Sequence, residues 1–145
     1  MLRLCSKKFA SFAASSEFRW GAYAITCSKI SIGRRVIVRP STMLFAFPTG
    51  DGGRIVIEDD VLMGSGVHIY TANHEFADPE RLIIDQGHRD PGDVFVRRGA
   101  WIGANAIVLA GGGGGGGEVQ RGPGGARSGG CSWGSWRFAC AARPG

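Results

Sequence analysis

Apolar residues recur at every sixth position through the middle of this chain. Three runs show the spacing: Ile32 and Val38; Ile57, Met63 and Ile69; and Val96, Ile102 and Val108. Four positions after the leading members come small or β-branched residues, namely Val36, Thr42, Val61, Val67, Ala100 and Ala106. A period of six belongs neither to an α-helix nor to a simple alternating strand, and it is typical of a parallel β-helix in which each hexapeptide forms one strand and one corner. Chance scatter of Val and Ile is the alternative, and agreement at two positions in each hexapeptide argues against it.

Two interruptions of this period predict two loops. The spacing from Val38 to Ile57 is 57 − 38 = 19 and that from Ile69 to Val96 is 96 − 69 = 27, and neither is divisible by six. We expect one loop around residues 47–53 and the other over residues 73–93. Loops held on a rigid scaffold are the usual place for binding and catalytic residues.

Glycine follows the apolar residue in three of the hexapeptides, at Gly33, Gly64 and Gly103. Because glycine tolerates backbone conformations that other residues avoid, we expect tight turns at these positions.

The two ends of the chain lack the hexapeptide pattern. Residues 1–25 contain five scattered aromatic residues, compatible with a short helix that caps or docks against the repeats: Phe9, Phe12, Phe18, Trp20 and Tyr23. Residues 111–145 hold 14 of the 25 glycines, seven of them in succession. The predicted organisation is an N-terminal segment over 1–25, a hexapeptide-repeat domain over 26–111, and a Gly-rich tail over 112–145.

The tail has two explanations. Its glycine content and lack of apolar periodicity predict disorder. A shifted reading frame is the other explanation, because one set of codons for residues 128–134 spells Ala-Val-Val-Ala-Ala-Gly-Ala when read one nucleotide later, which is a hexapeptide-like sequence.

The net charge of +5 does not indicate a nucleic-acid binder. Residues 1–20 carry 4 − 1 = +3, residues 21–111 carry 9 − 10 = −1, and residues 112–145 carry 4 − 1 = +3. A nucleic-acid binder gathers its Lys and Arg on one folded face, whereas this excess lies in the two ends. We expect no nucleic-acid partner.

The cysteines and the N-terminus indicate the compartment. Four cysteines follow no metal-type spacing, and a chain of 145 residues does not depend on disulfides, so we expect free thiols and a cytoplasmic location. Lys7 and Lys8 interrupt the first apolar stretch before it reaches signal-peptide length, so secretion and a membrane span are not expected. Import into an organelle stays an alternative, because the start is basic and Ser-rich.

Three stretches between residues 30 and 111 resemble the hexapeptide-repeat acyltransferases, in particular the sugar and capsule O-acetyltransferases of the maltose and galactoside acetyltransferase type. They are residues 57–70 (IEDDVLMGSGVHIY), 73–79 (NHEFADP) and 101–109 (WIGANAIVL). The first and third are repeat units that specify the fold, and the Asn-His loop narrows the resemblance to acyl transfer. The resemblance implies a left-handed parallel β-helix, a homotrimer, and acetyl-CoA as acyl donor in the groove between neighbouring subunits.

The resemblance also implies that His74 is the general base that takes the proton from a sugar hydroxyl. A hydroxyl is a poor nucleophile at neutral pH, and an imidazole can accept its proton during attack. The thioester carbonyl then develops an oxyanion, which needs a fixed donor. The position matching the family's backbone donor is Ala104, and Trp101 and Gly103 complete the expected acetyl-CoA-binding positions. Trp101 either lines the CoA arm or packs between subunits.

Asn73 and Asp78 are the candidate substrate-binding residues. Asn73 either holds the loop or contacts the acceptor. Asp78 orients His74, contacts the acceptor, or is an ordinary turn residue before proline. We expect His68 to pack at a corner and His88 to be solvated in a charged loop. A plain surface histidine is the alternative for His74, and its position where the chain leaves the repeat favours catalysis.

Zinc enzymes of the γ-carbonic anhydrase type have the same fold and use three histidines. The three histidines here are separated by five and thirteen residues, which does not match that ligand pattern, so we expect no metal. The alternative function is an inactive truncated homologue that acts only as a structural or oligomerising subunit. This alternative arises because a glycine run follows Leu109 where the family continues with further repeat units.

Overall fold

The computed structural model describes residues 8–110 with their side chains, together with the backbone of residues 117–119, 131–133 and 136–138. Between residues 8 and 110 the chain is almost entirely β. Its helical elements there are a 3-10 turn over Cys27–Lys29 and one short helix, α1, over Ile83–Gln86. No helix in the described part of the chain has the length and apolar content needed to cross a membrane.

The strands form three parallel sheets that the chain visits in rotation. The first sheet contains β1 (Ser11–Phe12), β4 (Ile30–Ile32), β7 (Ile55–Ile57), β10 (Val94–Val96) and β13 (Gly117–Val119). The second contains β2 (Glu17–Phe18), β5 (Ile37–Val38), β8 (Leu62–Met63) and β11 (Trp101–Ile102). The third contains β3 (Tyr23–Ile25), β6 (Met43–Phe45), β9 (His68–Tyr70) and β12 (Ile107–Leu109). Each circuit adds one strand to each sheet, an arrangement compatible with the predicted parallel β-helix.

One side of each strand from β1 to β12 faces a common apolar interior. Strand register stacks the six-residue positions of successive circuits in three columns: Phe12, Ile32, Ile57 and Val96; Phe18, Val38, Met63 and Ile102; and Ala24, Leu44, Ile69 and Val108. Ile57, Met63 and Ile69 are 1%, 0% and 0% exposed. The prediction that these three side chains share one interior is confirmed. Burial of each such side chain contributes roughly 1.5–3 kcal/mol.

Connections from the first sheet to the second, and from the second to the third, always have four residues. They are 13–16, 33–36, 58–61 and 97–100, and then 19–22, 39–42, 64–67 and 103–106. In seven of these eight the third residue has a positive φ, namely Gly21, Arg35, Ser41, Asp60, Gly66, Gly99 and Asn105. The fourth residue is the small or β-branched one, and it is buried or half-buried. This geometry explains the second apolar position of the hexapeptide.

The glycines predicted to make tight turns do begin them. Gly33, Gly64 and Gly103 each open a four-residue turn, but none has a positive φ, so the backbone conformation is not what requires glycine there. A Cβ at Gly64 would lie 2.5 Å from the backbone nitrogen of Ala104, and a Cβ at Gly33 would lie 2.8 Å from the carbonyl carbon of Glu58. Glycine is required at these two positions because successive circuits approach each other closely.

The N-terminal segment is the first circuit and not a helix. Strands β1 to β3 occupy residues 11–25, and Phe12, Phe18 and Ala24 continue the six-residue period, so the repeats begin before residue 26. The ring centroid of Phe9 lies 5.5 Å from that of Phe12 and 5.6 Å from that of Phe18. Phe9 is itself only 8% exposed. Three of the five aromatics attributed to a capping helix, Phe9, Phe12 and Phe18, therefore close the interior from within the first circuit, whereas Trp20 and Tyr23 are exposed.

Three strands lie within the segment predicted to be disordered. Strand β13 pairs in parallel with β10, and β14 (Cys131–Trp133) pairs antiparallel with β15 (Trp136–Phe138). The prediction of a disordered or frame-shifted tail over 112–145 stays a prediction, because only these three short segments of it are described. The rest of that tail, like residues 1–7, lies outside the described residues.

Candidate functional site

The connections from the third sheet to the first vary in length. They comprise residues 26–29, 46–54 and 71–93, and the two long ones match the predicted loops. We name them the short loop (46–54) and the long loop (71–93). The two loops touch at the base, where the backbone N–H of Phe47 donates to the Thr71 hydroxyl at 2.8 Å. The connections of variable length between residues 26 and 93 thus all lie at one corner of the molecule.

A lysine ammonium organises the short loop. The Nζ of Lys29 donates to the carbonyl oxygens of Phe47 at 2.9 Å, Gly50 at 2.7 Å and Gly52 at 3.0 Å, and lies 3.4 Å from that of Thr49. Charge-assisted hydrogen bonds of this kind are stronger than neutral ones. Because the carbonyls converge on one half-buried cation, the loop is fixed relative to the strand β4 that follows Lys29.

The long loop folds back on itself in an antiparallel manner. His74 and His88 form an isolated antiparallel bridge. Beside it, the N–H of Glu75 donates to the carbonyl of Gly87 at 3.1 Å, and the N–H of Arg89 donates to that of Asn73 at 2.9 Å. The two limbs of the loop are therefore joined by backbone hydrogen bonds at the point where both histidines stand.

An ion pair reinforces the same junction. Arg89 contacts the Glu75 carboxylate at 3.2 Å, and its guanidinium carbon lies 4.3 Å from the ring centroid of Phe76. Hydrogen bonds from the backbone N–H of Phe76, then from Arg89 and from the backbone N–H of Ala77, lower the pKa of Glu75 below its ordinary value. Glu75 is therefore held as a carboxylate that ties the two limbs together.

A groove of about 340 Å³ lies between the two loops and the outer face of the third sheet. Its lining residues are Phe45, Phe47, Tyr70, Ala72, Asn73, His74, His88 and Leu109. The His74 and His88 ring centroids are 4.4 Å apart with their planes at 32°, and the centroid of Phe47 is 5.2 Å from that of His88. The groove thus has largely apolar walls with two stacked imidazoles at its edge.

The structure places the three histidines differently from one another. His74 is exposed and lines the groove, as a candidate base should, and its catalytic role stays a prediction. His88 is exposed, as predicted, and its ring also contacts the rings of His74 and Phe47. His68 lies within β9 on the outer face of the third sheet, 3.4 Å from the hydroxyl of Tyr70, and not at a corner.

The two candidate substrate-binding residues have structural partners. Asn73 donates weakly to the carbonyl of Ala110 at 3.4 Å while lining the groove, which leaves both of its predicted roles open. The carboxylate of Asp78 accepts the backbone N–H of Glu80 at 3.0 Å, and the backbone of Asp78 is held by the Gln86 side chain. Among the described residues Asp78 makes no hydrogen bond to the other site residues, which favours the turn role.

The candidate acetyl-CoA-binding residues lie elsewhere. Trp101 is 56% exposed on the outer face of the second sheet, and Gly103 and Ala104 are exposed at the corner between the second and third sheets. His74 stands at the corner between the third and first sheets, so a whole strand of the third sheet separates the two groups. One chain alone does not bring His74 and Ala104 together.

Within the part of the chain that the structure describes, no group of three or more His, Cys, Asp or Glu side chains is placed to hold a metal ion. Comparison of the chain with protein-family models, with curated proteins and with solved structures gave no significant match. An assignment of function therefore depends on the residues of the chain itself.

Proposed function

We propose that this chain is an acyl-CoA-dependent O-acyltransferase, built on a left-handed parallel β-helix, that moves an acetyl group to a sugar hydroxyl. The observation that carries the proposal is the position of His74. Its exposed imidazole stands at the edge of a groove of about 340 Å³, in the Asn-His loop, where the chain leaves the third sheet. A concave site with apolar walls and a few convergent polar groups is typical of small-molecule binding.

In the proposed reaction His74 accepts the proton of the acceptor hydroxyl as that oxygen attacks the thioester carbonyl carbon. The carbon–sulfur bond breaks as the tetrahedral intermediate collapses. Coenzyme A leaves as its thiolate and takes the proton from the His74 imidazolium, so the base is regenerated. Positioned proton transfer of this kind contributes roughly 10²–10⁴-fold to the rate.

Ala104 is the proposed oxyanion donor, with Trp101 and Gly103 beside it along the acetyl-CoA-binding surface. In the described part of the chain the Ala104 N–H makes no hydrogen bond. Because His74 and Ala104 stand at different corners, we propose that two neighbouring copies of a homotrimer supply them to one site.

The outer face of the third sheet supports association of copies. Two columns of mostly apolar side chains cover it: Tyr23, Met43, His68 and Ile107, and Ile25, Phe45, Tyr70 and Leu109. Ile107 is 56% exposed, Tyr23 51% and Leu109 45%. Contiguous exposed apolar surface marks interaction sites. The same face supports the second candidate function, a structural or oligomerising subunit without catalysis.

The test compares His74→Ala with the parent in acetyl transfer from acetyl-CoA to a panel of sugars, followed by release of the CoA thiol. We expect kcat/KM to fall roughly 10²–10⁴-fold, since the general base is lost. The unfolding temperature should stay unchanged, because the exposed imidazole buries little. The control, Glu80→Ala, removes an exposed side chain of the same loop that does not line the groove, and it should stay close to the parent in turnover.

Two outcomes would contradict the proposal. Near-parental turnover of His74→Ala would remove His74 from catalysis. A parent that sediments as an oligomer but releases no thiol with any sugar would favour the structural subunit.

A further inference from the structure

We infer that His88 is a positioning residue for His74, fixing the orientation of that imidazole by stacking against it. The inference rests on the proposed function, because it concerns the geometry of the proposed base. The sequence predicts only that His88 is solvated.

His74 needs a partner that orients its ring. A general base in a catalytic site is usually held by a third group. In the described structure the ring nitrogens of His74 make no hydrogen bond, and the expected orienting carboxylate, Asp78, is occupied with the N–H of Glu80. The ring of His74 contacts the ring of His88, with centroids 4.4 Å apart and planes at 32°. Such an offset, tilted arrangement is a favourable geometry for aromatic pairs.

A second ring contact joins His88 to the short loop. The ring of Phe47 lies 5.2 Å from that of His88. The backbone of Phe47 is held at both ends, since its N–H donates to the fully buried Thr71 and its carbonyl accepts from Lys29. The backbone of Phe47 is therefore fixed, and the imidazole of His88 packs beside its ring.

His88 is also fixed through its own backbone. It bridges His74 directly, and the neighbouring Arg89 ties the limb to Glu75 by an ion pair at 3.2 Å. The two imidazoles therefore lie side by side on paired backbone segments, and the ring of His88 also contacts that of Phe47. A base that is preorganised in this way is ready for proton transfer before the acceptor binds.

The first experiment measures turnover of His88→Ala and His88→Phe in the full chain. Misplacement of a catalytic group by about 1 Å costs up to about 10²-fold, so His88→Ala should lower kcat by roughly 10- to 100-fold with the KM for acetyl-CoA unchanged. His88→Phe keeps a flat ring and should recover most of the rate. Equal losses in both variants, or no loss in His88→Ala, would overturn the inference.

The second experiment does not depend on activity. In protein labelled at histidine, the ring-proton NMR signals of His74 should carry a ring-current shift from His88. We expect His88→Ala to move these signals toward those of an unstacked imidazole, Phe47→Ala to move them less, and the control Glu80→Ala to leave them in place. His74 signals that His88→Ala leaves unchanged would overturn the stacking role alone. Parental turnover of His74→Ala would overturn the proposed function and this inference with it.

Discussion

Each circuit of this molecule has two corners of constant length and one corner of variable length. The connections into the second and third sheets keep four residues in every circuit, whereas those that return to the first sheet have four, nine and twenty-three residues in the three described circuits, over 26–29, 46–54 and 71–93. The short connections carry a left-handed residue followed by a small inward one, so both their length and their composition are fixed by packing. The variable corner carries the groove, His74, His88 and Lys29.

The corners of constant length thus serve the packing of the interior, and the corner of variable length carries the candidate site. Adding a residue to a four-residue connection shifts every later side chain of that circuit to the other face, because side chains alternate along a strand. Adding one to a long loop changes only the entropy of closing it, which grows slowly with length. Variation is therefore tolerated at one corner and excluded from the other two.

The largest expected effect comes from inserting one glycine between Gly64 and Ser65. We expect loss of the cooperative thermal transition, because the insertion turns Ile69 outward and leaves the interior of that circuit unfilled. The matched insertion between Glu80 and Arg81, in the long loop, should cost below about 0.5 kcal/mol. Circular dichroism during heating measures both, and equal unfolding temperatures for the two insertions would contradict the comparison.

A smaller effect tests the close approach of circuits at the fixed corners. A Cβ at Gly64 would meet the backbone nitrogen of Ala104 at 2.5 Å, so Gly64→Ala should lower the free energy of unfolding by about 1–3 kcal/mol. Gly103→Ala is the matched control, since a Cβ there would meet no described atom within 4 Å. Chemical denaturation measures both. An equal loss in Gly103→Ala would show that another circuit packs on that corner.

The smallest effect concerns charge at a fixed corner. The Glu58 carboxylate accepts from the Arg97 side chain at 2.8 Å and from the backbone N–H of Arg98 at 2.7 Å, and these contacts lower its pKa below the ordinary 4.5. Because the folded-state pKa is depressed, the contribution to stability is complete above pH 4.5 and is lost as pH falls through the lower folded value. Glu58→Gln should therefore melt slightly below the parent at neutral pH.

That difference should be small, because the ion pair is partly exposed, and it should close in strong acid. The control is Glu80→Gln in the long loop, an exposed carboxylate that has no side-chain partner among the described residues. Melting curves between neutral and acid pH check this. A gap between parent and Glu58→Gln that widens on acidification would contradict the assignment.

The repeat was predictable where its residues are large and β-branched. Ile57, Met63 and Ile69 gave a period that the buried interior confirms. The first circuit was missed because its inward positions hold Phe12, Phe18 and Ala24, which do not resemble the Val and Ile of later circuits. Their six-residue spacing, with Ser16 and Ala22 four positions later, was the available signal.

The candidate site was predictable only in part. His74 was found because it follows the repeat directly, at the point where the chain departs from the coil. His88 was missed because thirteen residues separate it from His74, and only the reversal of the long loop brings the two rings together. The contact of Phe47 with His88 joins two loops, and no sequence period records such a contact. Gln86-Gly87 before His88 was a weak turn signal.

The cluster of Phe9, Phe12 and Phe18 affects how easily the first described circuit, β1 to β3, opens locally. In a stack where each circuit touches only its neighbours, stability is approximately a sum of nearest-neighbour terms, and a terminal unit has one neighbour where an internal unit has two. Such a unit opens at the lowest free energy. The rings of Phe9, Phe12 and Phe18 bury apolar surface at that end of the described circuits. The rate at which amide hydrogens of β1, β2 and β3 exchange with solvent therefore depends on these three aromatic rings as well as on the backbone pairing of those strands with later circuits.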